Sequence, residues 1–511
     1  MEIVNSIMTW IMKKRIHDIE LFIRYPMEVQ EEIRAKLLKA AARTSIGEKY
    51  GFSEIENYRQ FCERIPIHTY EQFYPYIDRL LKGEQRVTWP GEIRWFAKSS
   101  GTTNARSKFI PVSQESLDEC HFKGGKDMLA IYCNNHENSR IFTGKSLAIG
   151  GSQQINQFDS NANSYYGDVS AVILKNLPFW AQLARTPSLE IALMSEWESK
   201  IEKIAQATIG ENVTNILGVP TWTVVLLQRI LEITGKPHIH EVWPDLEVFI
   251  HGAVAFDPYE QLFRQLAPDP KMNYLETYNA SEGFFGIQDQ PGIRDLLLML
   301  DYGIFYEFIP LERLNDEHPQ ALGLEEVELG RNYALVISTN GGLWRYLIGD
   351  TVRFTSLKPF RIRISGRTRQ FINAFGEELI VENAEQAMRR ACEQTGAIIS
   401  DYTAGPRYIE SGKKGTHEWI VEFKKKPDDP QRFAQLLDET LQQLNSDYEA
   451  KRYKNLALEA PVVHFVGKGT FYEWMKSRGK LGGQNKVPRL ANDREYLDDI
   501  LATLPQPAGK A

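Results

Sequence analysis

Residues 272–283 read Met272-Asn-Tyr-Leu-Glu-Thr-Tyr278-Asn279-Ala280-Ser281-Glu282-Gly283. A short apolar run ends abruptly in small, polar and acidic residues and a glycine. That is how a buried strand delivers a functional cluster at its C-terminal end. The pattern recurs upstream. Ile93–Ala97 runs into Lys98-Ser99-Ser100-Gly101-Thr102-Thr103, and Val248–His251 runs into Gly252. Between these two lies a long helical stretch that includes Trp222–Ile233. Strands alternating with helices predict an α/β architecture. Ligands in such sheets sit beyond the strand C-terminal ends, where these clusters fall.

Outward from this centre, the first ~50 residues have a helical period. Ile16, Ile19 and Ile23 share one face, and Val29, Ile33, Leu37 and Ala41 form a second stripe after Pro26. These read as helices packed on the body, with a lid or oligomer contact as the alternative. Downstream, Tyr333–Thr339 and Leu343–Ile348 flank Asn340-Gly341, a hairpin signal because both residue types tolerate positive φ. A further strand alternates Phe360, Ile362 and Ile364 against Arg361 and Arg363. Ser356–Pro359 is expected to be a linker, dividing an N-terminal domain, 1–357, from a C-terminal domain, 358–511. The second domain is expected to hold helix Val381–Cys392, strand Glu418–Phe423, helix Pro430–Leu444 and strand Val462–Val466. The proline-containing tail from Leu504 should fray.

Composition narrows the class. The chain has 511 residues, 42% hydrophobic and 25% charged, so it is globular rather than disordered or fibrous. Sixty Lys and Arg against 67 Asp and Glu give a net charge of -7, the wrong sign for whole-surface nucleic-acid binding. The four cysteines, Cys62, Cys120, Cys133 and Cys392, are too sparse for a disulfide framework and not at metal-clip spacing. The charge order around the N-terminal apolar stretch does not fit a secretory signal. No uncharged run reaches the ~20 residues of a membrane span. A cytoplasmic protein is expected, with no nucleic-acid or membrane partner.

Several weaker signals point elsewhere and are set aside. Gly144-Lys145-Ser146 lacks the upstream glycine of a phosphate loop, since Ser139 stands there. His238, His240 and His251 have no acidic or cysteine ligand fixed by spacing, so isolated hydrogen-bonded histidines are the better reading. Lys424–Lys426 reads as a solvated strand exit.

Four segments carry chemistry. Ser99–Thr103 with Lys108 is a hydroxyl- and glycine-rich loop able to wrap phosphate oxygens and offset their charge. In the second, Tyr278 can stack on a base and Glu282 can hold Mg²⁺ through a hard oxygen. The third is Gly349-Asp350, whose short carboxylate can accept hydrogen bonds from both ribose hydroxyls. The fourth is the glycine-rich stretch Gly479–Arg489 carrying Lys480 and Lys486. Each is weak alone, because turns and solvated loops use the same residues.

In this order and spacing they resemble the acyl acid amido synthetases, the auxin-responsive Gretchen Hagen family of adenylate-forming enzymes. The family's Ser-Ser-Gly-Thr-Ser/Thr loop ending in Lys-x-Ile-Pro looks like Ser99–Thr103 and Lys108-Phe109-Ile110-Pro111. Its second and third motifs look like Tyr278–Glu282 and Tyr346–Asp350, and its Gln-x-Lys-x-Pro-Arg like Gln484–Arg489. Flanking phrases at Trp95–Lys98, His251–Tyr259 and Gly366-Arg367 also match, so the resemblance runs from about residue 35 to 495.

This resemblance implies a large N-terminal adenylate-forming domain of mixed sheets, with a β-barrel-like subdomain and flanking helices. A smaller, mobile α+β C-terminal domain follows. It implies ATP and Mg²⁺ as cofactors, and a small carboxylic acid and an amino acid as substrates. Ser99, Ser100, Thr102 and Thr103 would contact phosphates, assisted by Lys108. Gly252, Ala253 and Tyr278 would flank adenine, with Asn279 and Ala280 beside them. Ser281 and Glu282 would lie at the phosphate–metal end, Asp350 would bind ribose, and Arg367 would sit near ribose and hinge. Lys486 would reach the α-phosphate or acyl carboxylate during adenylation.

Two positions depart from the family pattern. Ala105 replaces a common loop glycine, and Leu347 stands where an arginine often follows the tyrosine. Strand parity puts Arg345 on the face of Leu347, which would let it substitute. Residues 215–227, with Trp222, either line an apolar acyl site or pack in the core. An acyl- or aryl-CoA ligase using the same adenylation step, and a non-catalytic nucleotide-binding relative, stay open as alternatives.

Overall fold

Pro26 starts a helix at its first turn, where a missing N–H costs nothing, and so splits the N-terminal region into helices Glu2–Arg24 and Pro26–Ala41. The apolar faces predicted for them bury Ile19, Phe22, Leu37, Leu38 and Ala41 in the main core. Gln30 locks the second helix on the body: its amide donates to the carbonyls of Leu300 and Ile304 and accepts from the Tyr306 N–H. The packing reading holds. The computed structural model describes residues 2–99, 108–150, 156–158, 161–194, 196–368, 370–410, 413–478 and 488–504.

Strands β1 (Trp95–Ser99) and β2 (Lys108–Val112) form a hairpin. Next come β3 (Lys145–Ala148), β4 (Asn156–Phe158), β5 (Asn161–Gly167), β6 (Arg185–Thr186), β7 (Val213–Gly218) and β8 (Val248–His251). β9 (Asn273–Ala280), β10 (Gly283–Gln288), β11 (Leu296–Leu298), β12 (Ile304–Pro310), β13 (Asn332–Thr339), β14 (Tyr346–Leu357) and β15 (Phe360–Arg367) complete the larger sheets. The main sheet has eleven strands, ordered β12-β13-β14-β15-β11-β10-β9-β8-β7-β3-β6. From β6 to β9 neighbours run parallel, and from β9 to β12 antiparallel. The antiparallel run is the counterpart of the expected barrel-like subdomain, and β12 pairs only with β13 among the described strands. A second sheet, β2-β1-β5-β4, stands beside it.

The expected linker is instead a hairpin turn. Leu357 pairs with Phe360, so Ser356–Pro359 turns β14 directly into β15. Val352, Phe354 and Ile362 are fully buried in the main core, and β15 also pairs with β11. Two strands joined on both sides to the sheet cannot act as a tether. The Asn340-Gly341 hairpin exists, but its turn is longer than two residues. Thr339 N–H bonds to the Leu343 carbonyl, and positive φ falls on Gly342 and Arg345. Asn340 is tied to Ser113 and Gly303, and these contacts override the local turn preference.

Past Thr368 come β16 (Phe371–Ile372), β17 (Leu379–Ile380), helix Val381–Thr395, β18 (Ile398–Arg407), β19 (Thr416–Lys425), helix Pro430–Leu444 and β20 (Val462–Val466). β18, β19 and β20 form a three-stranded sheet. This part shares a core with the main sheet: Trp222, Tyr259 and Phe263 belong to one buried cluster with Phe375, Trp419 and Leu436.

Candidate functional site

The site forms where β8, β9 and β15 end beside the first half of β14. Gly252 follows β8 against the backbone of β9. A Cβ there would lie 2.5 Å from the Thr277 carbonyl oxygen, so only glycine fits without a backbone shift. Ala253 follows with φ +70, a left-handed conformation that L-residues resist and that clusters at ligand sites. Its carbonyl accepts from the Asn373 side-chain amide at 3.0 Å, tying the strand end to the C-terminal part.

Asp350 and Arg367 face each other in register on β14 and β15. Arg367 Nε lies 3.0 Å from Asp350 Oδ1, and the Tyr278 hydroxyl donates to Asp350 Oδ2 at 2.6 Å. Arg367 also bonds Glu378 at 2.7 Å. Tyr278 is only 5% exposed, with its ring packed edge-on against Phe285. Its hydroxyl is the atom that meets Asp350. Burial and the Asp350 charge push that hydroxyl's pKa well up, so it stays a donor. Sequence reasoning missed Glu378; the acidic pair after Phe375-Gly376 was the available signal.

Ser281 and Glu282 occupy the turn between β9 and β10, with Asn279 and Ala280 half-buried just before it. Burial pushes the Glu282 carboxyl up to about 7; Lys108 opposes the shift, and Asp350 and Glu378 add to it. Ser99 and Lys108 are paired across the β1–β2 hairpin. Ser100, Thr102, Thr103, Ala105 and Lys486 lie outside the described residues. Beyond Lys486, the Pro488 carbonyl accepts from Thr403 on β18 and the Arg489 N–H donates to Gln370. Glu282 with neighbouring Lys108 fits a Mg²⁺ that is held by one carboxylate and by substrate phosphates. No group of three or more metal-binding side chains occurs among the described residues.

Arg345 does not join the site. It lies ahead of β14 at φ +41, buried, and forks onto Glu307 while donating to the carbonyls of Cys62 and Ile65. Trp222 stacks flat on Trp197 at 3.7 Å, so core packing occupies that ring face. Lys145 pairs with Glu211, His240 bonds the Leu246 carbonyl, and His251 stacks on Phe256. None of these is a phosphate or metal site.

No described helix is long and apolar enough to cross a membrane. The GH3 family N-terminal domain matches residues 15–272, the central domain 297–367 and the C-terminal domain 382–495. The indole-3-acetic acid-amido synthetase GH3.4 of Arabidopsis thaliana is 23% identical, across 93% of this chain and 91% of its own. The 4-substituted benzoates-glutamate ligase GH3.12 of Arabidopsis thaliana is 22% identical, across 92% and 93%. Among solved structures, the acyl acid amido synthetase GH3.15 superposes with a TM-score of 0.61 at 16% identity, covering 96% of both chains. A 2-hydroxyisobutyryl-CoA ligase gives 0.58 at 11% identity, covering 94% of this chain and 92% of its own. The fold is therefore that of the adenylate-forming ligases, and the chain belongs to the GH3 family.

Proposed function

We propose that this protein is an ATP-dependent acyl acid amido synthetase. The observation that carries the reading is the carboxylate Asp350, held by Tyr278 and Arg367 at the strand ends beside Glu282 and Lys108. In the first half-reaction a substrate carboxylate oxygen bonds to the α-phosphorus of ATP and the α–β bridging P–O bond breaks, releasing pyrophosphate. In the second, an amino-acid nitrogen bonds to the acyl carbon and the C–O bond to AMP breaks, giving an amide. Oxide is too poor a leaving group for direct attack, and AMP is a good one.

Positioning and charge neutralisation supply most of such catalysis. Asp350 accepts the ribose hydroxyls, its two oxygens aimed by Tyr278 and Arg367. Gly252 and Ala253 give the base a close backbone wall. Ser99, Ser100, Thr102 and Thr103 contact phosphates, and Lys108 offsets their charge. Glu282 would hold Mg²⁺, which would supply charge neutralisation at the phosphate oxygens, with the carboxyl ionised as the ligand. We place the division of the chain after β15, which ends at Arg367. The part beyond it brings Lys486 to the reacting carboxylate for adenylation and rotates for transfer. The substrates are a small carboxylic acid and an amino acid, and the free cysteines suit a reducing, cytoplasmic setting.

The test is Mg-ATP-dependent pyrophosphate release against aryl, indole and aliphatic acids, with and without amino acids. The expected result is release stimulated by one acid class, and amide detected by mass spectrometry. Lys486→Ala should depress adenylation more than amide formation from a supplied acyl adenylate. Release that yields a thioester with CoA but no amide, or no release with any acid, overturns the reading.

A further inference from the structure

A cavity of about 320 Å³ opens between β9, the helix Asp257–Leu266 and residues 288–294. Its lining includes the rung His251–Glu276, in register across β8 and β9. The next residues along, Gly252 and Thr277, are the pair in close backbone approach. The cavity therefore adjoins the Gly252–Ala253 turn. Two polar atoms of its lining residues, His251 Nδ1 and the Tyr274 hydroxyl, are buried without a partner among the described residues. The Glu276 backbone N–H bonds Gln288, while its carboxyl makes no hydrogen bond to any described residue. Phe256, which follows the Gly252–Ala253 turn, roofs His251 at a ring distance of 4.0 Å. Buried polar atoms left unpaired in a protein interior are costly unless a ligand or water completes them.

We propose that Glu276 reads the purine base of the nucleotide, pairing its carboxyl with the amino edge of adenine where the His251–Glu276 rung lines this cavity. The inference rests on the nucleotide site proposed above and extends it to base selection. A protonated carboxyl has one donor and one acceptor, the complement of adenine's N6 amino group and adjacent ring nitrogen. It thus imitates the amide of Gln, which pairs bidentately with adenine. The discriminating edge is the one formed by N6 and N7, where hypoxanthine and guanine present two acceptors and one of the two hydrogen bonds is lost.

The surroundings keep Glu276 protonated. Burial pushes it up to about 7, and Arg363 on β15 opposes the shift only in part. His251 on β8 is held neutral, lowered to about 3 by burial and by Arg294. Glu260 and Arg264 on the neighbouring helix pair with each other, and Arg294 pairs with Glu260 and Asp257, so these charges are largely compensated. A raised carboxyl is the donor below its pKa and loses that role as pH rises through about 7.

The experiment compares ATP and ITP in pyrophosphate release by the full-length protein, Glu276→Gln and Glu276→Ala, from pH 6 to 8.5 on the order of half-unit steps. Melting curves confirm folding of each variant. The wild type should prefer ATP, with the ATP-to-ITP preference falling above neutral pH; Glu282 titrates in the same range but acts on both nucleotides alike. Glu276→Gln should keep the preference and lose its pH dependence. Glu276→Ala should raise the ATP KM roughly 10–100-fold, the range of a lost bidentate base contact, with ITP little changed. Pyrophosphate release with an unchanged ATP-to-ITP ratio in folded Glu276→Ala overturns this inference alone. No nucleotide-dependent release by the wild type overturns the site reading and this inference with it.

Discussion

Arg345 is the residue whose assignment changed most between sequence and structure, and replacing it by methionine tests the new one. Arg345 is 4% exposed and its partner Glu307 is fully buried. The guanidinium places Nε 2.9 Å from Glu307 Oε2 and Nη2 2.9 Å from Oε1, while Nη1 reaches the Ile65 carbonyl at 2.7 Å. Methionine keeps an unbranched stem of similar length and removes every one of these donors. Glu307 is left with the Tyr58 hydroxyl at 3.1 Å and the Cys62 thiol at 3.6 Å. Breaking a buried pair from one side costs about 3–5 kcal/mol, because the remaining charge stays desolvated. Arg345→Met should lose that much in denaturant unfolding, and Arg345→Met/Glu307→Leu should recover most of it. The ATP KM should stay within about twofold of wild type, since no transition-state or ground-state contact is removed. A loss below about 1 kcal/mol, or a large rise in ATP KM with stability intact, would refute the structural assignment.

Two further substitutions probe the strand ends. Tyr278→Phe removes the 2.6 Å hydrogen bond that aims Asp350, and bonds to charged groups contribute about 1.5–3 kcal/mol. The ATP KM should rise roughly tenfold with little change in melting temperature, and an unchanged KM would detach Tyr278 from the ribose site. Gly252→Ala puts a methyl group 2.5 Å from the Thr277 carbonyl oxygen, which is backbone and cannot swing away. It should cost about 1–3 kcal/mol and weaken ATP binding, measured by unfolding and by calorimetry. Wild-type values for both would show that the two strand ends are not in close approach.

Elements fixed by local pattern were legible. Helix Pro430–Leu444 has a capping aspartate, Asp429, a proline at its first turn and an unbroken apolar stripe, and it forms over those bounds. β20, Val462–Val466, is likewise a short apolar run that needs no distant partner to be recognised. What failed depended on distant chain. Ser356–Pro359 has turn chemistry that serves a linker and a hairpin equally. Pairing of β14 with β15 across the turn, and of β15 with β11 through Leu296 and Ile362, settles which it is. Arg345 obeyed strand parity on paper, but its positive φ takes it off the strand and turns it toward Glu307. At the site, the motifs that carry the family resemblance named Asp350, Tyr278, Glu282 and Lys108, and the fold places these four near one another. Glu378 escaped because it comes from beyond the last strand of the sheet, and its contact with Arg367 is tertiary.

The two carboxylates at the strand ends are prepared in opposite ways, and the difference fits their separate tasks. Asp350 has both oxygens engaged, one by Arg367 and one by Tyr278, so its orientation is set before a ligand arrives. Binding ribose then costs little reordering, which is what pre-organisation contributes to affinity. Among the described residues no side chain grips Glu282 in this way; its own backbone N–H is the hydrogen bond that favours its charged form. Burial and two neighbouring carboxylates raise it to about 7, with Lys108 the opposing charge. A carboxyl in that state stays partly protonated at neutral pH until a cation compensates it. Arrival of Mg²⁺ with the nucleotide phosphates would ionise Glu282 and lock the phosphate end only when substrate is present. On the proposed function, the rigid carboxylate would fix where the nucleotide sits, and the one only partly compensated by Lys108 would make completion of the charge network conditional on binding.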